Sequence, residues 1–444
     1  MNDLPVIVIG AGPIGLAAAA HLNRRDVDFL VVESGERAGA AVREWGHIRL
    51  FSQWSELTDP VAADLLHAVG WSASVAATYP TGTQWAELYL QPLADALGER
   101  VRYRHHVSAV TRQGRDLMID SGRGDAAFVV HADTPMGRRR LAGRAVIDAS
   151  GTWRRPNPLG TEGVPADGEA AVAERISYRV PDLRDPDVRS RYAGKHVVVA
   201  GTGASAQTAL IGLADLDGAG TTVSWLVRRA SAGAAFGGGD NDQLVARGEL
   251  GKRAHAAVAA GRVRTYSEFR TIAVRPGADG RLRVESADGQ FVEAVDEVVA
   301  VTGFRPDLSF LSEVRLDLDA ALQAPRDLAP LIDPNVHSCG TVSPHGAKEL
   351  AQPERGFYLA GMKSYGRAPS FLALTGYEQV RSVVAELAGD HDAASRVELT
   401  LPESGVCGGS GVFDEPETGS AGDGCCGPAV ATPQPISIGS RPPA

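Results

Sequence analysis

Two short glycine patterns hold most of the chemistry legible in this sequence. The first is Gly10-x-Gly12-x-x-Gly15, set between the apolar run Val6-Ile-Val-Ile9 and an alanine-rich stretch that ends at His21. Each glycine has its own reason: Gly10 permits a tight turn, Gly12 lets the backbone approach a pyrophosphate, and Gly15 lets a following helix pack on the strand. A helix that starts there, at Pro13, offers N–H groups and a positive dipole end to phosphates. A lone pattern of this kind has little specificity. The context supplies it, because the next apolar run, Phe29-Leu-Val-Val32, ends in Glu33. A carboxylate at that point accepts hydrogen bonds from ribose hydroxyls and favours an adenosine ribose without a 2′-phosphate.

The second pattern is Gly201-x-Gly203-x-x-Ala206, with Ala204 and Ser205 between, after Lys195-His-Val-Val-Val-Ala200. Alanine stands at the helix-packing position, a substitution the fingerprint allows. Here the following run, Thr222-Val-Ser-Trp-Leu-Val227, ends in Arg228 and Arg229. Guanidinium groups suit a 2′-phosphate through bidentate, charge-assisted bonds, which favours NADPH over NADH. The plainer alternative is two solvated arginines at a strand end.

The elements that must position these loops occur twice. Each loop sits in a strand, glycine turn and helix followed by a second strand. Short alternating runs come next: Leu117–Asp120 and Ala127–His131 in the first copy, Leu282–Glu285 and Phe291–Glu293 in the second. They read as antiparallel meander strands. Each copy closes on a strand ending in a small turn, Ala145-Val-Ile-Asp-Ala-Ser150-Gly151 and Glu297-Val-Val-Ala-Val-Thr302-Gly303. A repeated order of elements says more than either motif alone. A third short strand, Gly356-Phe-Tyr-Leu-Ala-Gly361, precedes a helix expected over about 369–388, with Leu372, Leu374, Val380, Val383, Val384 and Leu387 toward the core.

Composition excludes several classes. The chain has 444 residues, 44% hydrophobic and 22% charged, with a net charge of −10. That acidity argues against a nucleic-acid footprint or an anionic membrane surface. The apolar stretch from Val6 to Ala20 lacks a basic leader and is broken by glycines, and no run approaches the roughly 18 apolar residues of a membrane helix. A cytoplasmic protein is expected. The four cysteines are Cys339, Cys407, Cys425 and Cys426, and no disulfide framework is available to the folded part.

The whole pattern resembles the two-dinucleotide-binding flavoproteins, the superfamily of thioredoxin-reductase-like enzymes and flavin-containing monooxygenases. Further segments match: Tyr79-Pro-Thr-Gly82, Tyr89-Leu-Gln-Pro92, and the Ser150-Gly151, Thr302-Gly303 and Gly356–Gly361 strand ends. The resemblance covers about residues 4–390. It implies an α/β fold with two Rossmann-like domains of glutathione-reductase type, each with an antiparallel meander. The FAD-binding domain would comprise 1–160 and 301–395, an NADPH-binding domain would occupy 161–300, and 396–444 would be a disordered tail. FAD would sit at the first loop and NADPH at the second. Val107 would contact the adenine through its backbone, and Gly361 and Met362 would lie by the ribityl chain. A homodimer is compatible with the pattern.

Within that superfamily the chain departs from each branch. Disulfide reductases place a cysteine pair beside the flavin, and none occurs here. Monooxygenases need no protein redox group, because the reduced flavin activates O2. Their Phe-x-Gly-x-x-x-His signature, however, is replaced by Arg175-Ile-Ser-Tyr-Arg-Val-Pro-Asp182. Ala40 replaces a glycine expected after Glu33, and Met362 replaces an aspartate common in reductases. The preferred reading is a monooxygenase-like, NADPH-oxidising enzyme acting on a small molecule; the alternative is an NADPH-dependent reductase of a small acceptor. Catalytic candidates are Gln53, in a segment that relatives place around the isoalloxazine ring, and Lys363, Tyr365 and Arg367, ahead of the last helix. His345, Glu349 and a thiol at Cys339 are weaker ones, and Gly237–Asp242 reads as a surface loop. A third reading rests on the tail. Cys407, Cys425 and Cys426 place three thiols in a glycine-rich segment able to hold a thiophilic metal or metalloid, and resembling flavoproteins with such tails are associated with bacterial arsenic resistance.

Overall fold

A computed structural model describes residues 3–399, apart from 73–75, 243, 278, 336–343 and 370. All four cysteines, and the tail beyond 399, lie outside these residues. The strands are β1 (Val6–Ile9), β2 (Phe29–Val32), β3 (Val101–Arg102), β4 (His106–Arg112), β5 (Phe128–Thr134), β6 (Gly137–Gly143), β7 (Ala145–Asp148) and β8 (Ile176–Ser177). After them come β9 (His196–Ala200), β10 (Thr222–Leu226), β11 (Val263–Tyr266), β12 (Thr271–Pro276), β13 (Leu282–Ser286), β14 (Phe291–Val295), β15 (Glu297–Ala300) and β16 (Phe357–Leu359).

The continuous apolar runs become parallel strands buried on both faces, as such runs should. One five-stranded sheet has the order β16-β7-β1-β2-β3 and a second the order β11-β10-β9-β15-β8, all pairs parallel. Two three-stranded antiparallel sheets, β4-β5-β6 and β12-β13-β14, are the meanders. Register sets where the loops emerge. Ile9 pairs with both Val32 and Asp148, and Ala200 with both Leu226 and Ala300. Each glycine loop therefore leaves its sheet at the same edge as the two chain segments expected to flank it.

Helix α1 (Pro13–Arg24) follows the first loop and α2 (Ala204–Ala214) the second. The alanines of α1 are fully buried because strand and helix on either side approach closely. Helix α3 (Val245–Ala259) packs on the glycine-rich stretch 237–242: a Cβ on Gly248 or Gly251 would collide with the carbonyls of Gly239 or Phe236. That stretch lies at the surface, with Gly237 and Asp240 exposed, and α3 packs against its inner side at Gly239. The final helix, α4 (Ala373–Leu387), buries Val380, Val383 and Val384 as expected, while Leu372, Leu374 and Leu387 stay half-buried.

One expected strand is absent. Leu117–Asp120 forms turns, and Leu117, Met118 and Ile119 are exposed. Side chains satisfy this backbone instead of a partner strand: Leu117 N–H donates to Glu313 and its carbonyl accepts from Arg315, while Arg123 donates to the Asp116 carbonyl just before it. Arg123 in turn belongs to a buried triad. Glu354 accepts from Arg112 at 2.8 Å and from Arg123 at 2.6 Å, with all three side chains inside. Burial pushes the Glu354 carboxyl up, but the bonds from Arg123 and Arg112 outweigh it and hold the group below the usual range. A depressed carboxylate contributes stability above its unfolded pKa, about 4.3 for glutamate, and loses it as pH falls through the folded value. Glu354→Gln should therefore lower unfolding free energy by about 3–5 kcal/mol at neutral pH, because it leaves two buried guanidiniums without a counter-charge. Denaturant titration of both proteins checks this; their difference should shrink once pH drops below about 4.

Candidate functional site

The first glycine loop is built around an open space. Gly10 takes φ +100°, and a Cβ there would lie 2.9 Å from the Ala149 carbonyl oxygen. A Cβ on Gly15 would collide with the Gly10 carbonyl, so α1 sits hard against the loop. Gly12 differs: a Cβ there meets no atom within 4 Å. The helix begins directly after it with Pro13 at the first position. Glu33, only 7% exposed, lies over this loop, its carboxylate accepting from Ala11 N–H at 2.8 Å and Gly35 N–H at 2.7 Å. A carboxylate offers about four acceptor sites, so capacity remains for hydroxyls of a ligand lying across Gly12.

The second loop repeats the design. Gly201 has φ +127° and a Cβ there would strike the Val301 carbonyl, whereas around Gly203 nothing lies within 4 Å. Ala204 and Ser205 open α2, and Ala206 is completely buried at the packing position. Arg228 and Arg229 follow β10, Arg228 exposed and Arg229 half-buried. Burial, then the neighbouring Arg228 charge, pushes the Arg229 guanidinium down. Both loops leave open space beside their second glycine, at the carboxyl edge of a parallel sheet. They fit dinucleotide phosphates.

Between the loops run two crossing segments, one after β7 and one after β15. Ser150 N–H and hydroxyl donate to Asp148 Oδ1 at 3.1 and 2.6 Å. The Thr302 hydroxyl donates to the carbonyls of Asn157 and Pro158. Gly151 and Gly303 take φ of +70° and +94°. The segments pair with each other: Asn157 N–H donates to Gly303 O and Arg305 N–H to Arg155 O, both at 2.9 Å. Trp153 and Phe304, one from each, stack with centroids 4.9 Å apart. The Arg179 guanidinium lies 3.7 Å from the Trp153 ring, and the indole N–H donates to Glu44 at 2.7 Å. His47, beside this group, has its pKa lowered by burial, against the pull of Asp182.

The catalytic candidates divide. Lys363 is fully buried, with Nζ 2.6 Å from Asp148 Oδ2 and donating to the Ser150 hydroxyl at 3.0 Å. Tyr365 is buried too, edge-on to Phe371, and burial pushes its hydroxyl well up. Gly361, at φ +69°, packs on Ile14 of α1 and donates to Gln379, and Met362 is half-buried beside it. Arg367 is exposed and donates to the Gln323 side chain at 2.9 Å. Gln53 lies on a different segment and donates to the Tyr79 hydroxyl at 3.3 Å. His345 sits against Gln379, and Glu349 accepts from Gly346 N–H. Val107, near the start of β4, is buried and pairs with Ala132. No group of three metal-ligating side chains occurs among the described residues, and Cys407, Cys425 and Cys426 lie outside them. Sequence reasoning missed Asp148, although an acid closing an apolar strand is a legible signal. It also missed Arg155 and Arg305, whose shared Arg-Pro context marks the duplication.

Residues 7–338 match the family model described as pyridine nucleotide-disulphide oxidoreductase. The chain belongs to this family. Among solved structures, the bacillithiol disulfide reductase of Bacillus cereus superposes with a TM-score of 0.61 at 19% identity, over 86% of this chain and 99% of its own. A flavin-containing monooxygenase from Stenotrophomonas maltophilia gives 0.56 at 23%, over 88% and 99%. The ornithine N-hydroxylase of Kutzneria sp. 744 gives 0.56 at 18%, over 88% and 99%. At such identities the likeness is one of fold. No curated protein matches the sequence. No helix among the described residues is long and apolar enough to cross a membrane.

The glycine geometry separates binding from folding. Gly12→Val should fold with unchanged stability yet retain no flavin, since its side chain enters only the cradle. Gly15→Val should be strongly destabilised whether or not a ligand is present. Thermal melts combined with the absorbance of the purified proteins distinguish the two; equal stability losses in both variants would overturn the assignment.

Proposed function

We propose that this chain is an FAD-dependent oxidoreductase that takes electrons from NADPH and uses them on a small molecule, in the manner of a flavin monooxygenase. The observation that carries the reading is the pair of open cradles, at Gly12 and Gly203, at the carboxyl edges of two parallel sheets. Glu33 beside the first would suit FAD, and Arg228 and Arg229 after the second would suit NADPH. Family membership and the flavoenzymes among the structural neighbours support both cofactors. Bound FAD would supply the redox chemistry, accepting a hydride and passing electrons onward.

The protein's share is to bind and orient. Gly10, Gly12, Pro13 and Gly15 would seat the FAD pyrophosphate, with Glu33 on the ribose and Val107 at the adenine. Ser150, Gly151, Gly361 and Met362 line the same sheet edge, and Lys363 and Asp148 pin the 361–365 turn to it. We assign Lys363 to positioning, because its buried ammonium lies against Asp148 and donates to Ser150. Gly201, Gly203, Ala204, Ser205 and Ala206 would seat the NADPH pyrophosphate, with Thr302 and Gly303 beyond it. Gln53 and Tyr79 would border the flavin ring. The sheet of β8–β11 and β15 would act as the nicotinamide-nucleotide domain inserted between two segments of the FAD domain.

A second reading is reduction of a small acceptor without oxygenation, favoured by the disulfide reductases among the structural neighbours. Anaerobic NADPH should bleach the flavin under either reading. With labelled O2, label in the product supports the monooxygenase, and full turnover of an acceptor without label supports the reductase. Arg228→Ala should weaken NADPH binding about tenfold or more and leave NADH unaffected, since it removes one charge-assisted contact to the 2′-phosphate. Equal losses for both nucleotides would sink the assignment of that loop. The arsenic association belongs to the proposal through the tail: Cys407, Cys425 and Cys426 would bind a thiophilic metalloid. Truncation after residue 400 should abolish tight arsenite binding, and an unchanged affinity overturns the idea.

A further inference from the structure

Several arginines gather where the two crossing segments meet the turn before α4. The backbone bond from Arg305 to Arg155 fixes the first two side by side. The ring of Phe310 lies 4.2 Å from Lys363 Nζ and ties the 305–310 stretch to the turn Gly361–Tyr365, from which Arg367 emerges. The carboxylates of this region are already committed. Asp307 pairs with Arg155 at 3.3 Å and Asp148 with Lys363 at 2.6 Å.

Arg305 and Arg367 have only neutral acceptors. Arg305 donates to Asn157 Oδ1 at 2.9 Å and to the Gly163 carbonyl at 3.1 Å. Arg367 donates to Gln323 Oε1 at 2.9 Å. Neither has an ion pair among the described residues. Burial, then the charges of Arg367 and Arg155, hold the Arg305 guanidinium below its usual value. In a chain with a net charge of −10, carboxylates are not scarce. A half-buried cation such as Arg305, with no ion pair among the described residues, is costly unless a ligand supplies the counter-charge. Solvation alone accounts for Arg367, which is exposed, but less well for Arg305.

We propose that Arg305 and Arg367 receive an anionic group, a carboxylate or a compact oxyanion, carried by the molecule the enzyme acts on. This rests on the flavoenzyme reading and adds a substrate class to it: a small anion rather than a neutral amine or thioether. The planar fork of each guanidinium suits such oxygens in bidentate fashion. The other source of anionic oxygens is the phosphates of the dinucleotides themselves, and the experiment must separate the two.

The test titrates inorganic sulfate into the full-length protein by calorimetry, with FAD bound and NADP+ saturating so that both phosphate cradles are filled. Saturable binding is expected in the native protein. Arg367→Gln should weaken it about tenfold or more, and Arg305→Gln at least as much. Flavin content and NADP+ affinity should stay within about twofold of native, as for contacts that touch no dinucleotide. The Arg367 side chain is exposed, so that variant remains informative should Arg305→Gln disturb the crossing segments. Absence of saturable sulfate binding, or equal binding by all three proteins, overturns the proposal. A parallel fall in NADP+ affinity or flavin content overturns it too, and assigns the arginines to dinucleotide phosphates. If the protein takes up no flavin, the flavoenzyme reading fails by itself, while the same titrations still report on the two arginines.

Discussion

Parallel register is the constraint on which the rest of the molecule depends. Ile9 lies between Val32 and Asp148, so three strands of the first sheet end together and their exits compete for the same small volume. The middle strand has no room for a side chain at its exit: a Cβ on Gly10 would meet the Ala149 carbonyl, and one on Gly15 the Gly10 carbonyl. The second sheet solves the same problem with Gly201 against Val301. The cradles differ therefore not in shape but in the side chains one strand away: a carboxylate folded over the first and two guanidiniums beyond the second.

A second constraint is charge placed inside. Asp148 and Lys363 are both completely buried, and their pairing joins the end of β7 to a turn more than two hundred residues later in the chain. Glu354 with Arg112 and Arg123 does the same for the first meander. Such pairs contribute little net stability compared with an apolar replacement, but they penalise any arrangement that separates them. Both lie where segments distant in sequence must meet in one register.

The sequence was most legible where a backbone requirement dictates residue type. Strands buried on both faces, glycine turns and the repeated order of elements could be read directly, because each demands a narrow set of side chains. Leu117–Asp120 was misread because alternation alone does not supply a partner strand, and arginine side chains satisfied that backbone instead. Lys363 and Tyr365 could be named as candidates but not placed inside, because local sequence does not reveal burial. Their partners, Asp148 and Phe371, come from elsewhere in the chain or across a turn. Arg305 and Arg367 were harder still, since what marks them is that their hydrogen bonds go to neutral acceptors among the described residues, a property no spacing encodes.

The two crossing segments have a mechanical meaning. Because they are hydrogen-bonded to each other through Arg155, Asn157, Gly303 and Arg305, and stacked through Trp153 and Phe304, they form a narrow two-ply ribbon. A ribbon of this kind is stiff against stretching and against sliding of one ply past the other, yet soft in torsion. The ends of β7 and β15 are thus bridged by hydrogen-bonded chain, and Arg179 and Glu44 brace it through Trp153.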